Sequence, residues 1–133
     1  MSLPDPITIA VDPETTGSDT TWNFDFFDKV GDKAEYRGDL HSVGLRNHKL
    51  EYYRTAPKKS GNFLGQIKST TKLTLDHLTA GADASESYKP AIITISTSFP
   101  VGITPEQYRL MMWMICAAAE ESYTQELALE NEL

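Results

Sequence analysis

The sequence holds one cysteine, Cys116, so neither an intrachain disulfide nor a cysteine-based metal site can be built. Set in an apolar stretch, that thiol is expected to be buried and inert. Long apolar runs are missing as well. The longest, Leu110 to Ala119, spans ten residues, about half of the ~20 that a membrane-crossing helix requires. Met1-Ser2-Leu3-Pro4-Asp5 shows no basic segment followed by an apolar one, and the expectation is a soluble chain made in a cytoplasm, without a signal peptide or a membrane partner. Glycine-rich phosphate loops, dinucleotide fingerprints and nucleophile elbows do not occur. His41, His48 and His77 lie on separate elements without ligand spacing and read as surface histidines. Asp76 and His77 adjoin, yet neighbours on a strand point to opposite faces and make no dyad. No catalytic residue, metal or cofactor is therefore expected.

What is present is an ordinary globular composition: 133 residues, 40% hydrophobic and 23% charged. That length fits one domain, 1–133, small enough that a subunit contact would add substantially to its stability. Net charge is −7, but the charge is segregated. Ten of the twelve basic residues fall between Lys29 and Lys72, a window holding only four acids, so the window is +6 and the remainder −13. Glu120, Glu121, Glu126, Glu130 and Glu132 crowd the C-terminal end. Segments of opposite sign imply one surface that meets a polyanion and another that meets solvent.

Periodicity supplies the elements. Ile7, Ile9 and Val11 alternate with polar or small residues and predict a strand, closed by Asp12-Pro13. Glu14 to Thr21 reads as a loop. Trp22, Phe24 and Phe26 predict a second strand with an aromatic inner side, and Gly31-Asp32 a turn. A third run puts Ala34, Tyr36, Gly38 and Leu40 on one side and Lys33, Glu35, Arg37 and Asp39 on the other. A fourth, His48 to Thr55, has ambiguous parity because Tyr52, Tyr53 and Arg54 are consecutive. The fifth, Asn62 to Leu78, splits into Ile67, Leu73 and Leu75 against Gln66, Lys68, Thr70, Lys72 and Thr74. Thr79 to Tyr88 has no apolar pattern and reads as a flexible loop. The sixth strand, Lys89 to Phe99, sets Ala91, Ile93, Ile95 and Phe99 against Ile92, Thr94, Ser96 and Ser98.

A helix follows. Thr104, Pro105 and Gln107 form a capping box with proline in the first turn. Tyr108, Met111, Met112, Ile115, Ala118 and Ala119 make one apolar stripe, while Leu110, Trp113, Met114 and Ala117 cover much of the other side. One core accounts for only one of those sides, so Tyr108, Met111, Met112, Trp113 and Ile115 are the candidate dimer interface. After Ser122 the pattern thins, and a short acidic segment is expected to kink or restart.

Strands first and helix last predict an α+β fold: an N-terminal hairpin (1–30), an antiparallel sheet (31–99) and a C-terminal helical region (104–133). One sheet face takes the aliphatic parity, and the helix is the element available to cover it. The other face stays open and carries Lys49, Tyr53, Gln66, Lys68, Thr70, Lys72, Thr94 and Ser96. Cations for phosphates, hydroxyls and an amide for base edges and an aromatic for stacking make these the candidate RNA-binding residues.

In element order over nearly its whole length, the chain resembles the coat proteins of single-stranded RNA bacteriophages of the levivirus type. The most specific match is the last strand, Ala91 to Phe99, running through a short turn into Thr104-Pro105-Glu106-Gln107. The basic turn Arg54 to Lys59 is similar too. The resemblance implies an interlocked homodimer with the helices of one chain across the sheet of the other, and assembly into an icosahedral shell around genomic RNA. Ala80, Gly81, Ala82 and Asp83 would then belong to the loop between dimers. It further implies binding of an RNA hairpin that represses replicase translation, and a virion location after synthesis in a bacterial cytoplasm. The family has seven strands, whereas six are placed here. A small cellular α+β dimer that binds RNA or protein without forming a shell is the alternative reading.

Overall fold

The computed structural model describes residues 3–11 and 20–130. The expected strand end at Asp12-Pro13, most of the loop from Glu14 and the acid Glu132 lie outside the described residues. The chain divides into two compact units, Met1–Ser98 and Phe99–Leu133.

The first unit is a meander. Strands β1 (Ile7–Val11), β2 (Thr20–Val30), β3 (Lys33–Gly38), β4 (His48–Thr55), β5 (Gln66–Ala80) and β6 (Glu86–Pro100) form one six-stranded sheet in sequence order. The N-terminal hairpin is continuous with the sheet, because β2 pairs antiparallel with β3. Register fixes the faces, since directly paired residues share a side. Phe26 lies opposite Tyr36, Tyr36 opposite Leu50, and Leu50 opposite Leu73, giving a continuous apolar row. The core is small: Phe24, Ala34, Tyr36 and Leu50 are buried, with Ile7, Trp22, Tyr52 and Leu73 packed against them. Tyr36 is 0% exposed and donates its hydroxyl proton to the Pro4 carbonyl at 2.9 Å. Burying a phenol costs little when its one donor is so satisfied.

Further along the same face the apolar parity is left open. Ile67 is exposed, and Ile93 on β6 is 66% exposed. The expected long loop is also shorter than its sequence implied. β5 continues through Ala80 and β6 starts at Glu86, so the connection is only five residues, 81–85. It closes on itself: Gly81 N–H donates to Ser85 O at 2.7 Å, and the Asp83 carboxylate accepts from both the Ser85 amide and its hydroxyl. Cross-strand pairing overrode the missing apolar pattern, since backbone ladders extend wherever the partner strand continues.

One histidine departs from the sequence expectation. His48 is 4% exposed, and its ring meets Trp22 and Phe24 edge to face at 5.8 and 4.9 Å. Its Nδ1 accepts from Leu40 N–H at 3.1 Å, and its own amide donates to His41 Nδ1 at 3.2 Å. The two imidazoles thus serve the backbone of the β3–β4 connection as neutral acceptors. The ring fits because Gly38, its cross-sheet neighbour, has no side chain; an added Cβ would stand 2.7 Å from the His48 Cγ. Asp76 completes this end of the sheet by accepting from the Asn47 amide at 2.8 Å.

In the second unit, α1 (Pro105–Glu120) and α2 (Ser122–Glu130) follow the predicted pattern. Gln107 N–H donates to Thr104 Oγ1 at 3.3 Å and Thr104 N–H to Gln107 Oε1 at 3.0 Å, closing the capping box. Glu121 is extended and breaks the helix, and Thr124 Oγ1 bonds back to Ala118 O at 2.6 Å, so the chain restarts as expected. No residue of α1 is buried. Cys116 is accordingly exposed on this chain, contrary to the buried thiol expected from its apolar neighbours.

Two outcomes are expected. Gly38→Ala forces a methyl into the clamped imidazole and destabilises the fold by about 1–3 kcal/mol, read as the midpoint of chemical denaturation; an unchanged midpoint contradicts the clamp. Burial, reinforced by the nearby cations Arg37 and Lys49 for His41 and Arg46 for His48, holds both imidazoles below the ordinary histidine value. The unfolded chain takes up protons near pH ~6.5 that the folded chain refuses, so this stability is complete above that pH and is lost as pH falls below it. The thermal midpoint is therefore expected to drop between about pH 7 and pH 5, and a flat or rising midpoint contradicts the assignment.

Candidate nucleic-acid interface

The register that buries Tyr36 and Leu50 turns the intervening residues to the opposite face. Three rows cross the strands there: Arg37, Lys49 and Thr74; Glu35, Glu51 and Lys72; Lys33, Tyr53 and Thr70. This settles the fourth strand, with Tyr52 inward and Tyr53 outward. Lys68 stands opposite Thr55 on the same side. Hydrogen bonds carry the face across to β6, where Thr70 Oγ1 meets Ser96 Oγ at 3.4 Å and Ser98 Oγ donates to Gln66 Oε1 at 2.9 Å. Thr94, two residues before Ser96 on the same strand, shares that parity. All eight candidate residues named from the sequence thus lie on one face, although they are not equally free.

Like charges directly opposite each other are unfavourable in a sheet; three such pairs occur here, Asp28 with Glu35, Arg37 with Lys49 and Glu35 with Glu51, and the latter two are relieved by neighbouring charges of opposite sign. Arg37 faces Lys49, and the Glu35 carboxylate lies 3.5 Å from Arg37 Nε and 3.7 Å from Lys49 Nζ. Glu35 in turn faces Glu51, which takes Lys33 Nζ at 2.8 Å and the Tyr53 hydroxyl at 3.1 Å. The hydrogen bond to Glu51, seconded by Tyr53, raises the Lys33 pKa. Burial by itself would raise the Glu51 pKa, but the bonds from Lys33 and Tyr53 outweigh it and hold the carboxyl below its usual value. Lys49 and Tyr53 are therefore engaged in an internal lattice. Lys68 and Lys72 are less so: among the described residues neither has a carboxylate within ion-pair distance, although Lys72 faces Glu51 and helps to lower its pKa. The three rows and Lys68 set five cations, Lys33, Arg37, Lys49, Lys68 and Lys72, against two carboxylates, Glu35 and Glu51, with hydroxyls on the β6 side. Asp76, two residues beyond Thr74 on β5, adds a third carboxylate that is buried and held by Asn47.

Sequence reasoning set Lys33 and Arg37 on the polar side of the third strand but left them, and Phe27, out of the candidate residues. At Phe26/Asp28 the β2–β3 register slips by a residue, a β-bulge that doubles β2 opposite the Tyr36–Glu35 step. Arg37 lies over the Phe27 ring at 3.4 Å from its centroid, which places the phenyl on the polar side. The adjacency of Phe26 and Phe27 was the available signal, because two successive aromatics cannot both face the core of a regular strand.

The candidate dimer residues are all on α1. Tyr108, Met111 and Ile115 are exposed, Trp113 is 72% exposed, and Met112 is half-buried; Leu110 and Met114 on the other side are exposed as well. Of the candidate inter-dimer residues, Ala80 closes β5, and Gly81, Ala82 and Asp83 form the tight turn after it. Among the described residues no group of His, Cys, Asp and Glu is placed to hold a metal ion.

No family model matches the sequence, and no curated protein matches it. Solved structures do. The subunit of the virus-like particle of bacteriophage ESE058 aligns with a TM-score of 0.70 at 13% identity, over 99% of this chain and 99% of its own. That of bacteriophage AVE019 gives 0.70 at 14% identity, over 96% and 94% respectively. That of Beihai levi-like virus 32 gives 0.64 at 23% identity, over 96% and 88%. A six-stranded antiparallel sheet followed by two helices, matched end to end at such low identity, is a likeness of backbone and not of sequence: the chain has the levivirus-type coat protein fold.

Proposed function

We propose that this chain is the capsid subunit of an RNA bacteriophage, forming a homodimer that assembles into an icosahedral shell and holds genomic RNA on its polar sheet face. The observation that carries the reading is the end-to-end match to subunits of assembled particles. The surfaces of the single chain support it. β6 is the last strand of the sheet, fifteen residues long, and its free edge offers a backbone ladder to a second β6. The open apolar face of the sheet and the exposed apolar side chains of α1 are the complementary halves of such a dimer. Each large side chain that becomes fully covered there contributes about 1.5–3 kcal/mol.

RNA is held chiefly by charge. Lys68, and Lys72 which faces Glu51 without an ion pair to it, meet phosphates, while Thr70, Gln66, Thr94 and Ser96 reach sugars and base edges. Hairpin recognition with repression of replicase translation would use the same face. The role is structural, without catalysis, and places the protein in the virion after synthesis in the bacterial cytoplasm.

Expression of the full chain in bacteria, followed by electron microscopy and the absorbance ratio at 260 and 280 nm, tests the whole reading. Uniform shells with a nucleic-acid-like ratio are expected; a homogeneous small species without nucleic acid at physiological salt overturns it. For the RNA face, replacing Lys68 and Lys72 together by alanine is expected to flatten the salt dependence of single-stranded RNA binding. The log–log slope falls by about 0.7 per lysine, and an unchanged slope removes these residues from the phosphate contact.

A further inference from the structure

An exposed phenylalanine on a charged sheet face calls for an account, because threonine or tyrosine would serve a solvent face at lower cost. Phe27 is 51% exposed, yet it is fixed in place. Arg37 stacks over it at 3.4 Å from the ring centroid, and the Arg37 Nε is buried without a hydrogen-bond partner, 3.5 Å from Glu35. The phenyl ring therefore supplies what water would otherwise give the guanidinium, and the guanidinium holds the ring in one orientation. Beside it lies a shallow pocket lined by Phe27, Asp28, Val30, Lys33 and Glu35. A rigid, half-open aromatic surface with charged groups at its edge, on the same face as Lys49 and Tyr53, suits a flat heteroaromatic ligand.

We propose that Phe27, set on the polar face at the β2 bulge and backed by Arg37, is a stacking site for one unpaired base of single-stranded RNA, selecting bases that carry an exocyclic amino group. The site deepens the RNA-binding role proposed above and rests on it. Stacking is chemically general, since every base has a π-face, and it adds affinity without adding phosphate contacts. Selectivity comes from the pocket edge. Asp28 uses one carboxylate oxygen to accept from Lys29 N–H and has the other left as an acceptor, and Glu35 carries only long contacts to Arg37 and Lys49 at 3.5 and 3.7 Å, whereas the one cation lining the pocket, Lys33, is bonded to Glu51 at 2.8 Å. An edge dominated by acceptors favours the amino group of adenine and disfavours uracil, whose edge presents two carbonyls and a single N–H. Adenine also offers the larger stacking area.

The test uses nucleic-acid-free, full-length protein titrated by fluorescence anisotropy with labelled octamers of riboadenylate and ribouridylate. The wild type is expected to bind the adenylate octamer about tenfold more tightly than the uridylate one. Phe27→Leu keeps the apolar bulk beneath Arg37 but removes the π-face; it is expected to lose about tenfold for adenylate, with little change for uridylate and no change in salt slope. Phe27→Tyr is expected to retain the preference. Equal adenylate binding by wild type and Phe27→Leu overturns the stacking site while leaving the RNA reading intact, provided that the Lys68 and Lys72 variant still flattens the slope. Binding of neither octamer by the wild type overturns both. Ultraviolet cross-linking of RNA packaged by the wild-type protein needs no variant: an adduct on the peptide containing Phe27 is expected, and adducts confined to other peptides overturn the site.

Discussion

Side chains alternate across a strand, so each pairing that fixes the register also decides which chemistry meets which environment. In this sheet the decisive pairing is Tyr36 with Leu50, flanked by Phe26 and Leu73. A slip of one residue would turn Lys49, Glu51 and Lys72 into the core and set the apolar row in water. The fully buried Tyr36, tied to Pro4 through its hydroxyl, and the clamped His48 hold that register at two points. Everything proposed for the polar face depends on their staying in place.

The same constraint explains why the buried core is so small. Among the described residues four apolar ones are buried, while Ile67 and Ile93 continue the apolar parity onto exposed surface. A sheet face of this kind is stable in water only when another layer covers it. Helix α1, apolar nearly all round and without one buried residue, has the converse deficiency. The proposed homodimer resolves both with one contact, which makes folding and association a single energetic problem.

Much of this was legible in the sequence. Strand parity, the Thr104 capping box and the restart after Glu121 are local signals, and local signals survive into the structure. Failures came where tertiary context ruled. His48 looked like a surface residue because nothing local announces that Gly38 vacates space for its ring. The segment from Thr79 to Tyr88 looked like a long loop because its pairing depends on the opposite strand. Cys116 looked buried because its neighbours are apolar, whereas burial depends on what a helix packs against. On the polar face all eight named residues proved to share one side, but which of them are free could not be read from sequence. Glu35 and Glu51 engage Lys49 and Lys33 through diagonal contacts that only the register reveals, and Glu51 also takes Tyr53 along its own strand.

A chain of net charge −7 is an unpromising RNA binder only if charge is averaged over the molecule. At physiological salt, interactions between exposed charges fade over about 8 Å, so a phosphate responds to the local lattice and not to the total. The rows from Lys33 to Thr74 on β3 to β5, with Lys68, have five cations and two carboxylates that lie among the cations they neutralise, while the third carboxylate, Asp76, is buried at the far end against Asn47. Partial neutralisation has a use of its own. It allows Lys33, Arg37 and Lys49 to stand close together without mutual repulsion, and it keeps Tyr53 and Phe27 oriented by Glu51 and Arg37. The surplus charge is left on Lys68 and Lys72, nearer to the hydroxyls of β6. In the proposed RNA-binding role, affinity and orientation would thereby fall to different residues of one face, so that either could be altered without dismantling the other.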